Sequence, residues 1–126
     1  MANIETCIDL PVSGSGCIRF QMDFSNLHLN VKFVYEDRNS DEETEGVLEF
    51  KYAIYYKYTD EMHSFDRPET AYDAVVRLND SDWLKEFLGN EPKGLMALGA
   101  RNHYYVYLSN CGAIDVVADS VTFSVL

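Results

Sequence analysis

The stretch that most constrains the fold is Val47–Tyr58, VLEFKYAIYYKY, in which inward and outward side chains alternate over twelve residues without a Gly or a Pro. A β-strand turns successive side chains to opposite faces, so this pattern predicts one long, half-buried strand. The even-numbered residues from Leu48 to Tyr58 are predicted to face the core. We expect this strand to be the central strand of the fold.

Alternation also predicts three earlier strands, arranged as an antiparallel meander. They are residues 4–10, Cys17–Phe24 and Leu27–Tyr35. Pro11 and the segment Val12–Gly16 predict a turn after the first strand. Ser25-Asn26 predicts a two-residue hairpin between the second and third strands. The residues predicted to face inward are Ile18, Phe20, Met22 and Phe24 in the second strand and Leu27, Leu29, Val31, Phe33 and Tyr35 in the third.

The region after the long strand contains one element whose type is ambiguous and one predicted short helix. Tyr72–Leu78 is compatible with a strand or a helix, and its short length favours the strand. Ser81 predicts the cap of a helix over Asp82–Leu88, and Gly89 its end. We expect Trp83 to cover one end of the sheet.

The C-terminal region predicts further antiparallel strands. Asn90–Arg101 is compatible with a short apolar strand or with a loop over the core. His103–Leu108 and Ala113–Ala118 flank the turn sequence SNCG and predict a hairpin. Val121–Val125 alternates in the opposite parity, which predicts a turn or bulge at Ala118–Ser120.

Together these elements predict a single domain over residues 1–126, of the α+β class and rich in β. The predicted fold is a mostly antiparallel, meandering sheet of about six to seven strands, with one short helix (residues 81–88) packed on it. A chain of 126 residues can bury a core without disulfide or metal support.

Three sequence features bear on the location of the protein: its first ten residues, the length of its apolar runs and its cysteines. Residues 1–10 have neither the basic nor the apolar region of a signal peptide, and no apolar run is long enough to span a bilayer. The odd number of cysteines predicts that they are free thiols and do not form a disulfide framework. We therefore expect a cytoplasmic protein, or one delivered by a route that needs no cleaved signal. Its acidic composition is common among bacterial cytosolic domains.

The charge of the chain is concentrated in one segment. Glu36–Glu49 carries seven acids and one base, which is more than half of the net charge of −11. Such a charge repels nucleic acid and anionic membranes and favours a cationic partner. The candidate residues for that contact are Asp41, Glu42, Glu43 and Glu45. The simpler alternative is a solvated hairpin loop whose charge prevents aggregation.

The motifs of nucleotide and metal sites are incomplete. Gly94 and Gly99 have the spacing of a phosphate-binding loop, but Ala100-Arg101 stands where Lys-Ser/Thr is required. The three histidines are solitary, and the acidic loop lacks the spacing of a calcium loop. The sequence therefore predicts no cofactor and no metal.

Nucleophilic catalysis is equally unsupported. Cys111 and His103 are separated by eight residues, or about 25 Å of extended strand. At this distance the imidazole of His103 cannot act as the base that activates the Cys111 thiol. Glu49 and Asp115 are outward-facing acids that remain candidates for paired carboxylates. We assign no catalytic residue and expect the protein not to be an enzyme.

Tyrosines supply the second candidate feature. Tyr55 faces outward in the long strand, and Tyr105 and Tyr107 share one face of a later strand. If these strands are neighbours, the three tyrosines form an exposed patch suited to anchoring a partner. The alternative is that the helix or Asn90–Arg101 covers this face, which makes the tyrosines part of a second core layer.

Two classes of function fit these features. The first is a non-enzymatic, acidic protein-binding module, such as an immunity or inhibitor protein that neutralises a basic bacterial toxin or nuclease. Its contact residues would be the four acids with Tyr55, Tyr105 and Tyr107. The second is a small β-rich ligand-binding domain or enzyme with a sheet-lined pocket, or a subunit of a larger oligomer.

Overall fold

A computed structural model describes residues 3–60, 73–79, 82–89 and 101–126. Within these ranges the chain forms β1 (Asn3–Asp9), β2 (Val12–Ser25), β3 (His28–Asp37), β4 (Glu43–Lys51), β5 (Tyr55–Thr59), β6 (Ala74–Asn79), α1 (Asp82–Gly89), β7 (Asn102–Leu108), β8 (Gly112–Ala118) and β9 (Ser120–Val125). Tyr72, Ser81 and the segment 90–100 lie outside the described residues. No helix within these ranges is long and apolar enough to cross a bilayer.

Two antiparallel sheets pack against each other in place of the single predicted sheet. The five-stranded sheet has the order β1-β6-β7-β8-β5, and the four-stranded sheet has the order β2-β3-β4-β9. The core lies between them, where for example the ring centroids of Phe50 and Tyr104 are 6.0 Å apart. For the described ranges, the prediction of a mostly antiparallel β-protein with one short helix is confirmed. The single sheet of about six to seven strands is wrong, since the described residues form nine strands in two sheets. Alternation shows which face is buried but not which strands pair.

The stretch Val47–Tyr58 is two strands and not one central strand. β4 ends at Lys51, and the backbone of Tyr52 adopts a left-handed φ of 52°. The N–H of Ala53 then donates to the carbonyl of Leu27 at 2.7 Å. The chain thereby passes from an inner strand of the four-stranded sheet to the edge strand β5 of the other sheet.

The first two strands also depart from the prediction. β1 pairs with β6 and not with β2, so the predicted meander is wrong for its first strand. The segment Val12–Gly16, predicted as a turn, begins β2. Between Cys17 and Arg19 a bulge sets two residue steps of β2 against one of β3. The bulge leaves Ile18 53% exposed, which corrects its predicted inward position.

Several local predictions are confirmed. β2 and β3 are joined by the two-residue turn Asn26-Leu27, one residue later than predicted, with φ values of 52° and 62°. The helix Asp82–Gly89 and the strand Ala74–Asn79 match the predicted elements. The chain leaves β8 at Ala118 and enters β9, in the other sheet, at Ser120, where the change of parity predicted a break.

Candidate functional site

The four acids predicted to bind a partner lie together in the β3–β4 hairpin. Asp41 and Glu42 belong to the connection between the strands, and Glu43 and Glu45 belong to the beginning of β4. All four residues are exposed.

Hydrogen bonds give the tip of this hairpin a defined shape. The carboxylate of Asp37 accepts the backbone N–H groups of Asn39 at 2.8 Å and Ser40 at 3.1 Å. The N–H of Asp37 donates to the carbonyl of Glu42 at 2.8 Å, and that of Asp41 donates to the carbonyl of Asp37 at 2.8 Å. These bonds close the turn as Asp side chains commonly do, so the acids are displayed on an ordered scaffold.

The negative charge of the hairpin is only weakly compensated. Glu36 and Glu43 are direct partners across β3 and β4, an arrangement of like charges that destabilises a strand pair. Arg19 lies 4.0 Å from Glu43, but both side chains are more than half exposed, so the pair contributes little. Arg38, the one base of the acidic stretch, lies 3.4 Å from Asp9. The hairpin surface therefore keeps most of its negative field.

A shallow groove of about 220 Å³ crosses the outer face of the four-stranded sheet beside the hairpin. Its lining residues are Arg19, Phe20, Gln21, Lys32, Val34 and Glu45. This volume is below the roughly 300 Å³ at which small-molecule sites begin, and the groove carries both signs of charge. Within the described ranges, no three His, Cys, Asp or Glu side chains converge as metal ligands do.

Tyr105 and Tyr107 are buried, which corrects their predicted place in an exposed patch. They are 8% and 2% exposed and belong to a second apolar cluster with Val76 and Ala113, on the outer side of the five-stranded sheet. Their parity along β7 is as predicted, but both faces of this inner strand are covered. Alternation cannot distinguish a solvated face from a covered one when the covering residues come from elsewhere in the chain.

Tyr55 remains exposed but lies far from the acidic hairpin. It is 43% exposed, and its ring centroid is 5.3 Å from that of Trp83. Glu43 begins β4 and Tyr55 follows the end of that strand. The eight residue steps of β4 span about 26 Å, so Tyr55 and the hairpin tip do not form one compact patch.

The structure exposes other aromatic side chains, which the sequence pattern had assigned to the core. Phe20 contacts Tyr58, with ring centroids 5.2 Å apart, and Phe24 contacts Tyr56 at 5.7 Å. Phe24, Tyr56 and Tyr58 are each about two-fifths exposed. These four residues, the edge aromatic cluster, lie where the edge strands β2 and β5 of the two sheets face each other. The density of tyrosines after Lys51 is the one sequence signal that pointed here.

A buried polar pair lies on the outer side of the five-stranded sheet. Nε2 of His103 is 2.7 Å from Oδ1 of Asp115, and the side chains are 4% and 13% exposed. The ring of Trp83 lies over the pair, 4.6 Å from the imidazole, so the helix covers this face and not an end of the sheet. Nζ of Lys57 is 5.4 Å from the centre of the Trp83 ring. The hydrogen bond between His103 and Asp115 and the packing of Trp83 on His103 anchor α1 to the sheet. This structural role explains why the cluster is buried.

The pairs of residues weighed for catalysis are not brought together. Glu49 lies on the outer face of the four-stranded sheet and Asp115 on the outer face of the other, because their neighbours fill the core between the sheets. His103 is paired with Val117 near the beginning of β7, whereas Cys111 is in the turn beyond its end.

Comparison of the chain with protein-family models, with curated proteins and with solved structures found no match. Its function is therefore inferred from its own residues.

Proposed function

We propose that the protein is a non-enzymatic binding module whose β3–β4 hairpin docks a basic protein, as immunity and inhibitor proteins do when they neutralise a bacterial toxin or nuclease. The observation that carries this proposal is the set of exposed acids on an ordered hairpin. They are Asp41, Glu42, Glu43 and Glu45.

The charge of the hairpin supports a mechanism of electrostatic steering. A concentrated negative field raises the rate at which a cationic surface is encountered, and salt weakens it because the Debye length is about 10 Å at 0.1 M. The hydrogen bonds of Asp37 hold the turn in shape before contact. Less conformational entropy is then lost on binding than with a flexible loop.

The edge aromatic cluster supplies an apolar anchor in place of Tyr105 and Tyr107. Glu45 is paired with Val34, which is paired with Arg19, the neighbour of Phe20. Two strand spacings, about 10 Å, therefore separate Glu45 from Phe20, whereas Phe24 lies further along the sheet, level with Phe50. A partner that covers the acids of β4 can also bury aromatic rings at the edge of β2, which is the type of contact that stabilises interfaces most.

The test compares two double charge reversals with the same change of net charge. Glu42→Lys with Glu43→Lys alters the hairpin, and Asp23→Lys with Glu86→Lys alters exposed acids outside it. Each variant and the wild type are immobilised and exposed to host-cell lysate at low salt, then eluted with a salt gradient.

The expected result is a basic protein that the wild type and the control variant retain and that the hairpin variant loses. With the purified partner, association with the hairpin variant should be about tenfold slower or more, and the difference should shrink as salt rises. A partner that binds the hairpin variant as fast as the wild type overturns the proposal.

A second candidate, a subunit of a homo-oligomer, is favoured by the exposed rings at the two sheet edges. Such edges and apolar surfaces are common sites of association between copies. Light scattering distinguishes the candidates, because a monomeric mass at working concentration removes the homo-oligomer. If copies do associate, Tyr56→Ser with Tyr58→Ser should lower the mass.

A further inference from the structure

Two cysteines from opposite sheets meet at one end of the molecule. Cys17 lies in β2 at the bulge, and Cys111 lies in the turn between β7 and β8. The N–H of Cys17 donates to the carbonyl of Ser109 in that turn at 2.9 Å. A Cβ added at Gly16 would lie 2.7 Å from Nδ2 of Asn110, so the backbone of β2 runs directly against the turn.

The two side chains also enter the same part of the core. Cys17 is 3% exposed and belongs to the main core, and Cys111 packs against that core from the turn. Burial and, second, a hydrogen bond with the thiol of Cys111 raise the pKa of Cys17. A disulfide joins residues whose Cα atoms are about 4.4–6.8 Å apart, and the close approach of β2 to the Ser109–Cys111 turn brings the two cysteines into this region of the core.

We propose that Cys17 and Cys111 form an intramolecular disulfide when the protein meets a peroxide, and that this bond fastens the two sheets together. Cys7 lies on the exposed strand β1 and takes no part. The inference is independent of the proposed function, since neither cysteine belongs to the acidic hairpin.

The chemistry follows from the different exposure of the two thiols. The more accessible thiol of Cys111 gives up its proton and attacks hydrogen peroxide, so an S–O bond forms and the O–O bond breaks. The hydroxide that leaves takes up the proton from Cys111 and becomes one water. The sulfur of Cys17 then attacks the sulfenic sulfur of Cys111. The S–S bond forms, the S–O bond breaks, and hydroxide leaves with the proton of Cys17 as a second water. Two thiols lose two electrons, and one peroxide is reduced to two waters.

The bond would hold several elements at this end of the molecule. The hydroxyl of Tyr58 in β5 donates to the carbonyl of Cys111 at 2.5 Å, so the turn is already fastened to an edge strand. A covalent link from Cys17 closes a long loop of chain, and such loops restrict the unfolded ensemble most. We therefore expect oxidation to raise the melting temperature.

The test uses Cys7→Ser, which removes the exposed thiol and leaves the pair. Treatment with equimolar hydrogen peroxide should lower the intact mass by about 2 Da, and non-reducing digestion should give one peptide that joins Cys17 to Cys111. The melting temperature should rise by several degrees and return after dithiothreitol. The double variant Cys7→Ser with Cys111→Ser should show neither effect, and Cys111→Ala replaces it if it does not fold.

Two outcomes overturn the proposal. One is a gain of oxygen on Cys111 with Cys17 still alkylated as a thiol after denaturation. The other is a disulfide found only between chains, which non-reducing electrophoresis separates from the intramolecular bond by size.

Discussion

The imidazole Nε2 of His103 lies 2.7 Å from Oδ1 of Asp115 in a nearly closed site beneath the ring of Trp83. This pair connects three elements, because β7 supplies the histidine, β8 the aspartate and α1 the tryptophan. The helix is only eight residues long and would be marginal without such an anchor.

Asp115→Ala should therefore lower the free energy of unfolding by about 1–3 kcal/mol, since a buried imidazole nitrogen loses its partner. Urea unfolding followed by the fluorescence of Trp83, the one tryptophan, measures this change. The control is Asp23→Ala on the exposed face of β2, which should change stability by less than about 0.5 kcal/mol. Equal losses in the two variants would contradict the assignment of the pair as an anchor.

Tyr35→Phe should raise the free energy of unfolding by about 1 kcal/mol. The side chain is fully buried, and among the described residues its hydroxyl has no hydrogen-bond partner, so the native state bears an uncompensated desolvation cost. Tyr104→Phe is the matched control, because that hydroxyl donates to the carbonyl of Asp119 at 3.3 Å. Thermal unfolding should show opposite signs for the two variants, and a loss of stability in Tyr35→Phe would refute the prediction.

Gly46→Ala should destabilise the protein by about 1–3 kcal/mol through overpacking. An added Cβ would lie 2.6 Å from Cε1 of Phe123 and 3.2 Å from Cε1 of Tyr35, inside the core of the four-stranded sheet. Gly14→Ala is the control, since its Cβ would meet nothing within 4 Å. The measurement is the denaturation midpoint of each variant. Similar midpoints would contradict the prediction, because they would show that the Phe123 ring moves aside without a cost in stability.

Alkaline pH should weaken the fold through Cys17. Its pKa is raised in the folded state by burial and then by the thiol of Cys111, from an ordinary value of 9.0. Above about pH 9 the unfolded thiol loses its proton while the folded one keeps it, which favours unfolding by up to about 1.4 kcal/mol per pH unit. Below that pH the contribution is constant.

Cys17→Ala removes this titration. We expect its unfolding free energy, measured with urea from pH 7 to pH 10, to fall less steeply than that of the wild type above pH 9. Parallel curves would show that the thiol titrates alike in both states.

Glu43→Lys should leave the protein as stable as the wild type or raise its stability by about 0.2–1 kcal/mol. The substitution turns a pair of like charges, Glu36 with Glu43, into an attractive pair across the hairpin. Chemical denaturation at low and high salt measures the gain, which salt should reduce. If stability is retained, a loss of partner binding in the variant Glu42→Lys with Glu43→Lys comes from the changed contact with the partner and not from unfolding. A marked loss of stability would instead make Glu43 a structural residue.

Local features of this fold were readable from the sequence because local forces produce them. The alternation of β3 places Leu29, Val31 and Phe33 in the core, as predicted, since that strand stays in one sheet with one covered face. The helix at Asp82–Gly89 follows from residues that lie within a few positions of one another. The clustering of the acids in one hairpin is likewise a property of adjacent residues.

Tertiary structure decided how these elements are combined. Nothing in the alternation of Val47–Tyr58 reveals that Tyr52 turns left-handed and sends the chain to a second sheet, because strand pairing depends on residues far away in sequence. For the same reason the parity of Tyr105 and Tyr107 was predictable, but their burial was not. By itself the sequence determined which side chains share a face within an uninterrupted strand such as β3. Only packing between distant segments decided which faces meet water, and thus which acids and aromatic rings a partner can reach.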